Sequence, residues 1–223
     1  MPDFETPEPI SVTITLGVGD VRIIASHRTD TVVAVNPSDA AKPADVQAAR
    51  ETRVEYSEGR LSIRAPKLWK QWTPFGGSES IDVAVELPSG SQVECQAGVA
   101  EVRCEGRLGD CAFIIGAGSI RLDDTGHLRL STGAGSVSVG RVVGRGEITG
   151  SGEVRISEIH GPAVIKNLNG VTWVGEVEGD LRCNAANGDI AVDRALGAVK
   201  AKTANRAVRI GEVVPGSVER RTS

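Results

Sequence analysis

Aromatic residues are nearly missing from this chain: three Trp, three Phe and one Tyr make up 3% of its 223 residues. A core of packed rings is excluded, so burial must come from Val, Ile, Leu and Ala. No apolar run reaches the roughly 18–20 residues that a membrane-crossing helix needs. The opening nine residues, Met1 to Pro9, are acidic and proline-rich, without the basic start and apolar centre of a secretory signal. The expectation is a soluble cytoplasmic protein with no integral membrane segment. Cysteine is sparse as well. Cys95, Cys104, Cys111 and Cys183 form no C-x-x-C pair, so disulfides are not expected.

Sequence signatures of catalysis are missing too. The chain has no G-x-x-x-x-G-K-[ST] loop, no H-E-x-x-H and no G-x-S-x-G. His27, His127 and His160 have no carboxylate or cysteine at a ligand-like spacing and read as solvated. Asp123-Asp124 reads as a solvated turn, since no unit supplies the G-G-x-G-x-D of calcium-binding repeats. The reading is a non-enzyme with no cofactor and no metal. A formal net charge of −4 argues against a globally basic nucleic-acid binder.

Glycine, by contrast, is abundant: 27 residues, about 12% against a usual ~7%. In the second half it recurs every 17 to 20 residues, at Gly98, Gly118, Gly135, Gly152, Gly170 and Gly188, with Arg206 in the next slot. Short alternating strands follow: S-I-R-L (119–122), S-V-S-V (136–139), E-V-R-I (153–156), D-I-A-V (189–192) and A-V-R-I (207–210). A second strand ends a few residues before each glycine. A fixed period near 18 with two strands and two corners predicts a stack of equivalent units. The expected fold is all-β, a two-sheet parallel β-solenoid of about 18 residues per turn. Ile120/Leu122, Val137/Val139 and their equivalents should point inward from the first sheet, and Cys111/Phe113, Leu128/Leu130, Leu181/Cys183 and Val199/Ala201 from the second. Asn169, Asn187 and Asn205 recur one position before the glycine slot, where amides can stack into a ladder. Arg206 implies a corner that is strained or reshaped.

Residues 1–88 read as a strand-rich capping segment, continuous with the repeats at 89–223. Strands are expected at 10–16, 20–25, 31–35, 53–56, 60–64, 81–87 and 92–96, in an antiparallel or meandering run, with one helix over 43–51 opened by Pro43. A Trp-rich loop follows at 66–80. The chain ends at Ser217 to Ser223 partway through a turn, which reads as truncated or covered by something else.

These stretches resemble a bacterial family of β-strand-repeat proteins of unknown function, the putative adhesin family. The resemblance is carried by L-G-V-G-D-V-R-I (16–23), I-D-V-A-V-E-L-P (81–88) and the units G-A-G-S-I-R-L, G-A-G-S-V-S-V, G-S-G-E-V-R-I and A-N-G-D-I-A-V. It covers nearly the whole chain. It implies a β-solenoid with no established catalytic residues, so no site is carried over.

Two features stand above this background. Arg129, Lys166, Arg182, Lys200 and Lys202 form a basic stripe pointing outward from the second sheet, with no acid among them; the acids collect at corners, at Glu158, Glu176, Glu178, Asp193 and Glu212. Such segregation suits an anionic polymer. The loop holding Lys67, Trp69, Lys70, Trp72 and Phe75 carries three of the seven aromatics and suits either a partner or a lid over the first rung. Trp173 should point outward, onto a long neighbouring side chain or into an interface. The first-sheet outward row, counted from the glycines as Glu101, Arg121, Ser138, Arg155, Trp173, Ala191 and Arg209, lacks the acid cluster of a polysaccharide lyase. The leading reading is a cytoplasmic binding or scaffold protein that associates with a protein partner or with itself. An adhesin-like or envelope-stress module binding anionic surface polymers or membrane-active agents stands second. An enzyme acting on polysaccharide stands third.

Overall fold

The computed structural model describes residues 2–66 and 79–213, and the backbone of 218–222. The strands of the amino-terminal part are β1 (Asp3–Glu5), β2 (Ser11–Ser26), β3 (Asp30–Pro37), β4 (Arg53–Ser57), β5 (Arg60–Arg64), β6 (Ile81–Pro88) and β7 (Gln92–Arg107), with helix α1 (Pro43–Glu51) between β3 and β4. The repeats follow as β8 (Cys111–Ala117), β9 (Ile120–Thr125), β10 (Leu128–Ala134), β11 (Val137–Val142), β12 (Gly146–Gly150), β13 (Val154–Ile159), β14 (Ala163–Asn169), β15 (Thr172–Val177), β16 (Leu181–Asn187), β17 (Ile190–Ala195), β18 (Val199–Thr203), β19 (Val208–Val213) and β20 (Val218–Thr222).

From β8 onward every strand pairs in parallel with the strand two places along. The odd-numbered strands make the first sheet and the even-numbered strands the second. Strand alternation then sends every other side chain inward. Leu128, Ile165, Leu181 and Val199 are each no more than 1% exposed and belong to one connected core, as do Ile120, Val137, Val154 and Ile190 from the facing sheet. This is the β-solenoid that the glycine period predicts.

The amino-terminal part departs from an antiparallel run. β2 and β7 are 16 residues each and pass through both sheets, in parallel register from Ser11 opposite Gln92 to Ala25 opposite Gly106. The strands expected at 10–16 and 20–25 are therefore two halves of one strand that turns a corner. On the other side of β2, β5 pairs in parallel with its first half and β6 with its second. Parallel stacking thus extends back to β5 and β6. Antiparallel pairing is confined to β1 with β3, β3 with β6 and β4 with β5, which cover the sheet edges at this end. Helix α1 has the expected bounds, with Pro43 in its first turn but no side-chain cap; Asp39 accepts the Ala41 N–H instead. Buried Asp45 takes the N–H groups of Asp39 and Ser80 on its carboxylate, tying the helix to the residue before β6.

At one corner glycines stack where a side chain would meet the backbone of the rung below. A Cβ on Gly118 would lie 1.9 Å from the Ala100 carbonyl oxygen, and one on Gly188 would lie 1.8 Å from that of Gly170. Ala100, not Gly98, therefore occupies the slot below Gly118; Gly98 lies below Gly116 in the adjacent column. Outside this column the predicted amide ladder forms. Asn205 donates to Asn187 at 2.8 Å, Asn187 to Asn169 at 3.2 Å, and Asn169 to Ser151 at 3.1 Å. Arg206 does not hold a left-handed backbone: among the described non-glycine residues, Glu58 alone has a positive φ.

Candidate functional site

The second sheet presents two outward columns. Register places Arg129, Glu147, Val164, Arg182, Lys200 and Glu219 in one, and Ser131, Thr149, Lys166, Asn184, Lys202 and Arg221 in the other. The expected stripe is thus interrupted by an acid. Glu147 pairs with Arg129 at 3.6 Å and with Arg145 at 3.8 Å. Counting back from Gly152 misses it, because the turn from β12 to β13 is one residue shorter than that from β10 to β11, which moves Glu147 into the outward column. The stripe therefore divides. Arg129 lies beside Glu147, whereas Lys166, Arg182, Lys200 and Lys202 occupy three consecutive rungs, β14, β16 and β18, with Glu219 opposite Lys200 on β20.

Two hollows run along the strand starts of this sheet. One of about 300 Å³ lies beside Arg182 and Lys200, with Arg145, Pro162, Val164 and Asp180 among its walls. The carboxylate of Asp180 is engaged by the Ala198 N–H at 3.1 Å. The other, of about 470 Å³, includes Glu94, Asp110, His127, Arg129, Arg145 and Glu147. There His127 N–H donates to Asp110 at 2.9 Å, and His127 Nδ1 accepts the Arg145 N–H at 2.8 Å, which leaves the imidazole proton on Nε2. Arg145 links the two hollows. The repeat pattern does not flag it, because it stands in a corner position filled by His127, Pro162 and Asp180 in other turns.

Partners expected to be absent from the histidines come from the neighbouring rung. His160 Nδ1 lies 2.9 Å from Glu178 and Nε2 3.7 Å from Glu158. Arg141 holds Glu158 at 2.7 Å, and this hydrogen bond lowers the Glu158 carboxyl below its ordinary range. Arg194 bridges Glu176 and Glu212 at 3.4 and 3.5 Å. The corner acids are thus largely paired, across rungs 17 or 18 residues apart. Trp173 packs on a long neighbour: the Arg155 guanidinium lies 5.2 Å from its ring centre, and its Nε1 donates to Asp193 at 3.2 Å. All four cysteines are buried and free. Burial pushes the Cys95, Cys111 and Cys183 thiols up to about 12 and raises that of Cys104 as well. Protonated thiols in an apolar interior are not nucleophiles. Lys67, Trp69, Lys70, Trp72 and Phe75 lie outside the described residues.

On the first sheet the outward row counted from the glycines holds from Arg121 through Ser138, Arg155, Trp173 and Ala191 to Arg209, but its first member is displaced. Because Gly98 belongs to another column, Arg103 rather than Glu101 lies opposite Arg121, and Arg22 lies opposite Arg103. Sequence counting misses this three-arginine column; the pairing of L-G-V-G-D-V-R-I with V-A-E-V-R-C is the signal that could have found it.

No family model and no curated protein matches the chain. Among solved structures, a putative adhesin from Parabacteroides merdae is similar over 99% of this chain and 91% of its own, at 13% identity with a TM-score of 0.58. The chain has the fold of a putative adhesin. A putative lipid binding protein from Parabacteroides distasonis is similar at 13% identity over 100% of this chain and 95% of its own, with a TM-score of 0.43. A putative cell adhesion protein from Clostridium sporogenes follows at 14% identity, 100% and 98% coverage and a TM-score of 0.33. The P. merdae likeness is one of fold, in keeping with the resemblance read from the repeat units. Among the described residues no helix is long and apolar enough to cross a membrane.

Proposed function

We propose that this protein is a non-enzymatic binding module whose second sheet receives an anionic polymer. The observation that carries the reading is the patch formed by Lys166, Arg182, Lys200 and Lys202, whose two columns hold only Val164 and Asn184 besides them on those three rungs. Neighbouring rungs are about 4.8 Å apart, so the cations recur along the sheet at a fixed spacing. A repeating anion lying along the two columns meets a cation on each of these rungs, and the adjacent hollow of about 300 Å³ gives it a wall. The repeat of the cations suits a polymer better than a single small anion.

The test is binding of inorganic polyphosphate and of polygalacturonate at low and moderate salt. The wild type should bind at least one polymer, more weakly as salt rises. Arg182→Glu with Lys200→Glu should abolish binding while the melting temperature stays within a few degrees of wild type. Undiminished binding by a folded double variant removes this reading.

A further inference from the structure

We propose that the outward face of the first sheet carries a second, independent site for a zwitterion that joins an ammonium to a phosphate, as in an ethanolamine phosphate ester. A hollow of about 350 Å³ lies over β6, β2, β7 and β9, lined by Asp82, Asp20, Glu101, Arg22, Arg103 and Arg121. Register sorts these six into two columns by sign. Asp20 is opposite Glu101, and Asp82 extends that column one rung further as the residue before Val83, the partner of Val21. Arg22 is opposite Arg103, which is opposite Arg121. The columns stand two residues apart along the strands, about 6.6 Å.

The two columns offset each other only in part: the charge of Arg103 acts against the rise at Asp20, but no salt bridge joins the columns among the described residues. Arg22 turns away to Glu105 at 3.1 Å, and neither Arg103 nor Arg121 makes a salt bridge among the described residues. The acids are crowded: partial burial, then the charges of Asp82 and Glu101, raise the Asp20 carboxyl above its ordinary range. A simple anion over Arg103 and Arg121 would face three carboxylates one step away, and a simple cation would face the guanidiniums. Among the described residues no group of acids, histidines and cysteines is arranged to hold a metal ion. A molecule with both charges satisfies both columns. Two adjacent guanidinium forks match the several oxygens of a phosphate, and the carboxylates accept the ammonium hydrogens. Ala84 and Ser119 leave room at the ends of the columns.

The experiment is calorimetric titration of the full chain with O-phosphoethanolamine, inorganic phosphate and ethanolamine. The ester should bind about tenfold or more tightly than either fragment. Arg103→Gln with Arg121→Gln should lose that affinity, and Asp20→Asn with Glu101→Gln should reduce it to that of inorganic phosphate. The Arg182→Glu, Lys200→Glu variant should bind the ester as wild type does, which separates this site from the polymer patch. Sedimentation with phosphatidylethanolamine vesicles, absent with pure phosphatidylcholine vesicles and competed by the free ester, supports the site with a lipid headgroup as its source. Ester binding without sedimentation supports it with a free ester. No binding of the ester, equal binding of inorganic phosphate, or an arginine variant that keeps full affinity overturns the proposal; melting curves of each variant confirm that it is folded.

Discussion

Gly135→Ala should cost this fold far more than an ordinary glycine substitution. A Cβ at Gly135 would lie 2.0 Å from the Gly118 carbonyl oxygen and 2.7 Å from its carbon, and the residue holds φ at +125°. Relieving that contact requires the two rungs to part by about 1 Å at the corner. The bonds that would open are the Gly118 N–H to the Ala134 carbonyl and the Ile120 N–H to the Ser136 carbonyl, both 2.9 Å. Two such bonds contribute about 1 kcal/mol each, and a side chain in left-handed backbone adds about 1–2 kcal/mol. The total is about 3–4 kcal/mol, or roughly 10 °C in melting temperature for a chain of this size. Two controls separate the causes. Gly59→Ala, at φ +73° with nothing within 4 Å, should show the backbone cost alone, about 1–2 kcal/mol. Gly150→Ala, whose nearest neighbours are side-chain atoms at 3.5 Å, should be neutral or gain up to about 1 kcal/mol. Urea denaturation of the three variants at pH 7 measures this. If Gly135→Ala costs no more than Gly59→Ala, rung-to-rung contact does not set the residue at this corner.

Asn187→Ala should remove two links of the amide ladder and lower stability by about 1 kcal/mol by urea denaturation, although the residue is solvent-facing. The thiols should be silent to a disulfide reagent in the native protein and react fully once unfolded. With folded values near 12 for three thiols against an ordinary value near 9, the unfolded state loses its protons first, so stability should fall as pH climbs from about 9 toward 12; Cys183→Ala should flatten that slope. Asp20→Asn should raise the urea midpoint at pH 7, because the folded state resists ionising this carboxyl. The gain should vanish below the ordinary carboxylate range, where the carboxyl is protonated in both states.

The inner columns were legible because burial enforces them. A strand with a wet and a dry face must alternate, so Leu128/Leu130, Val137/Val139 and Leu181/Cys183 announce their direction without knowledge of what they meet. The Asn169, Asn187, Asn205 ladder was legible for the same reason: a constant 18-residue interval places equal residues one above another. Charged positions were less so. Glu147 entered the basic column through one residue omitted from a turn, and Arg103 replaced Glu101 opposite Arg121 because Gly98 stacks beneath Gly116. Outward residues tolerate either sign, so nothing in their chemistry exposes a miscount.

The sequence by itself determined that this chain piles into rungs around a narrow aliphatic interior, since period and alternation are local properties that any turn repeats. Tertiary structure decided which rung lies against which. β2 and β5 come together across residues that no repeat connects, and a shift of one or two positions exchanges an acid for an arginine in the row that meets solvent. Interior packing fixes that register to within a single residue, and the charges on the surface follow from it.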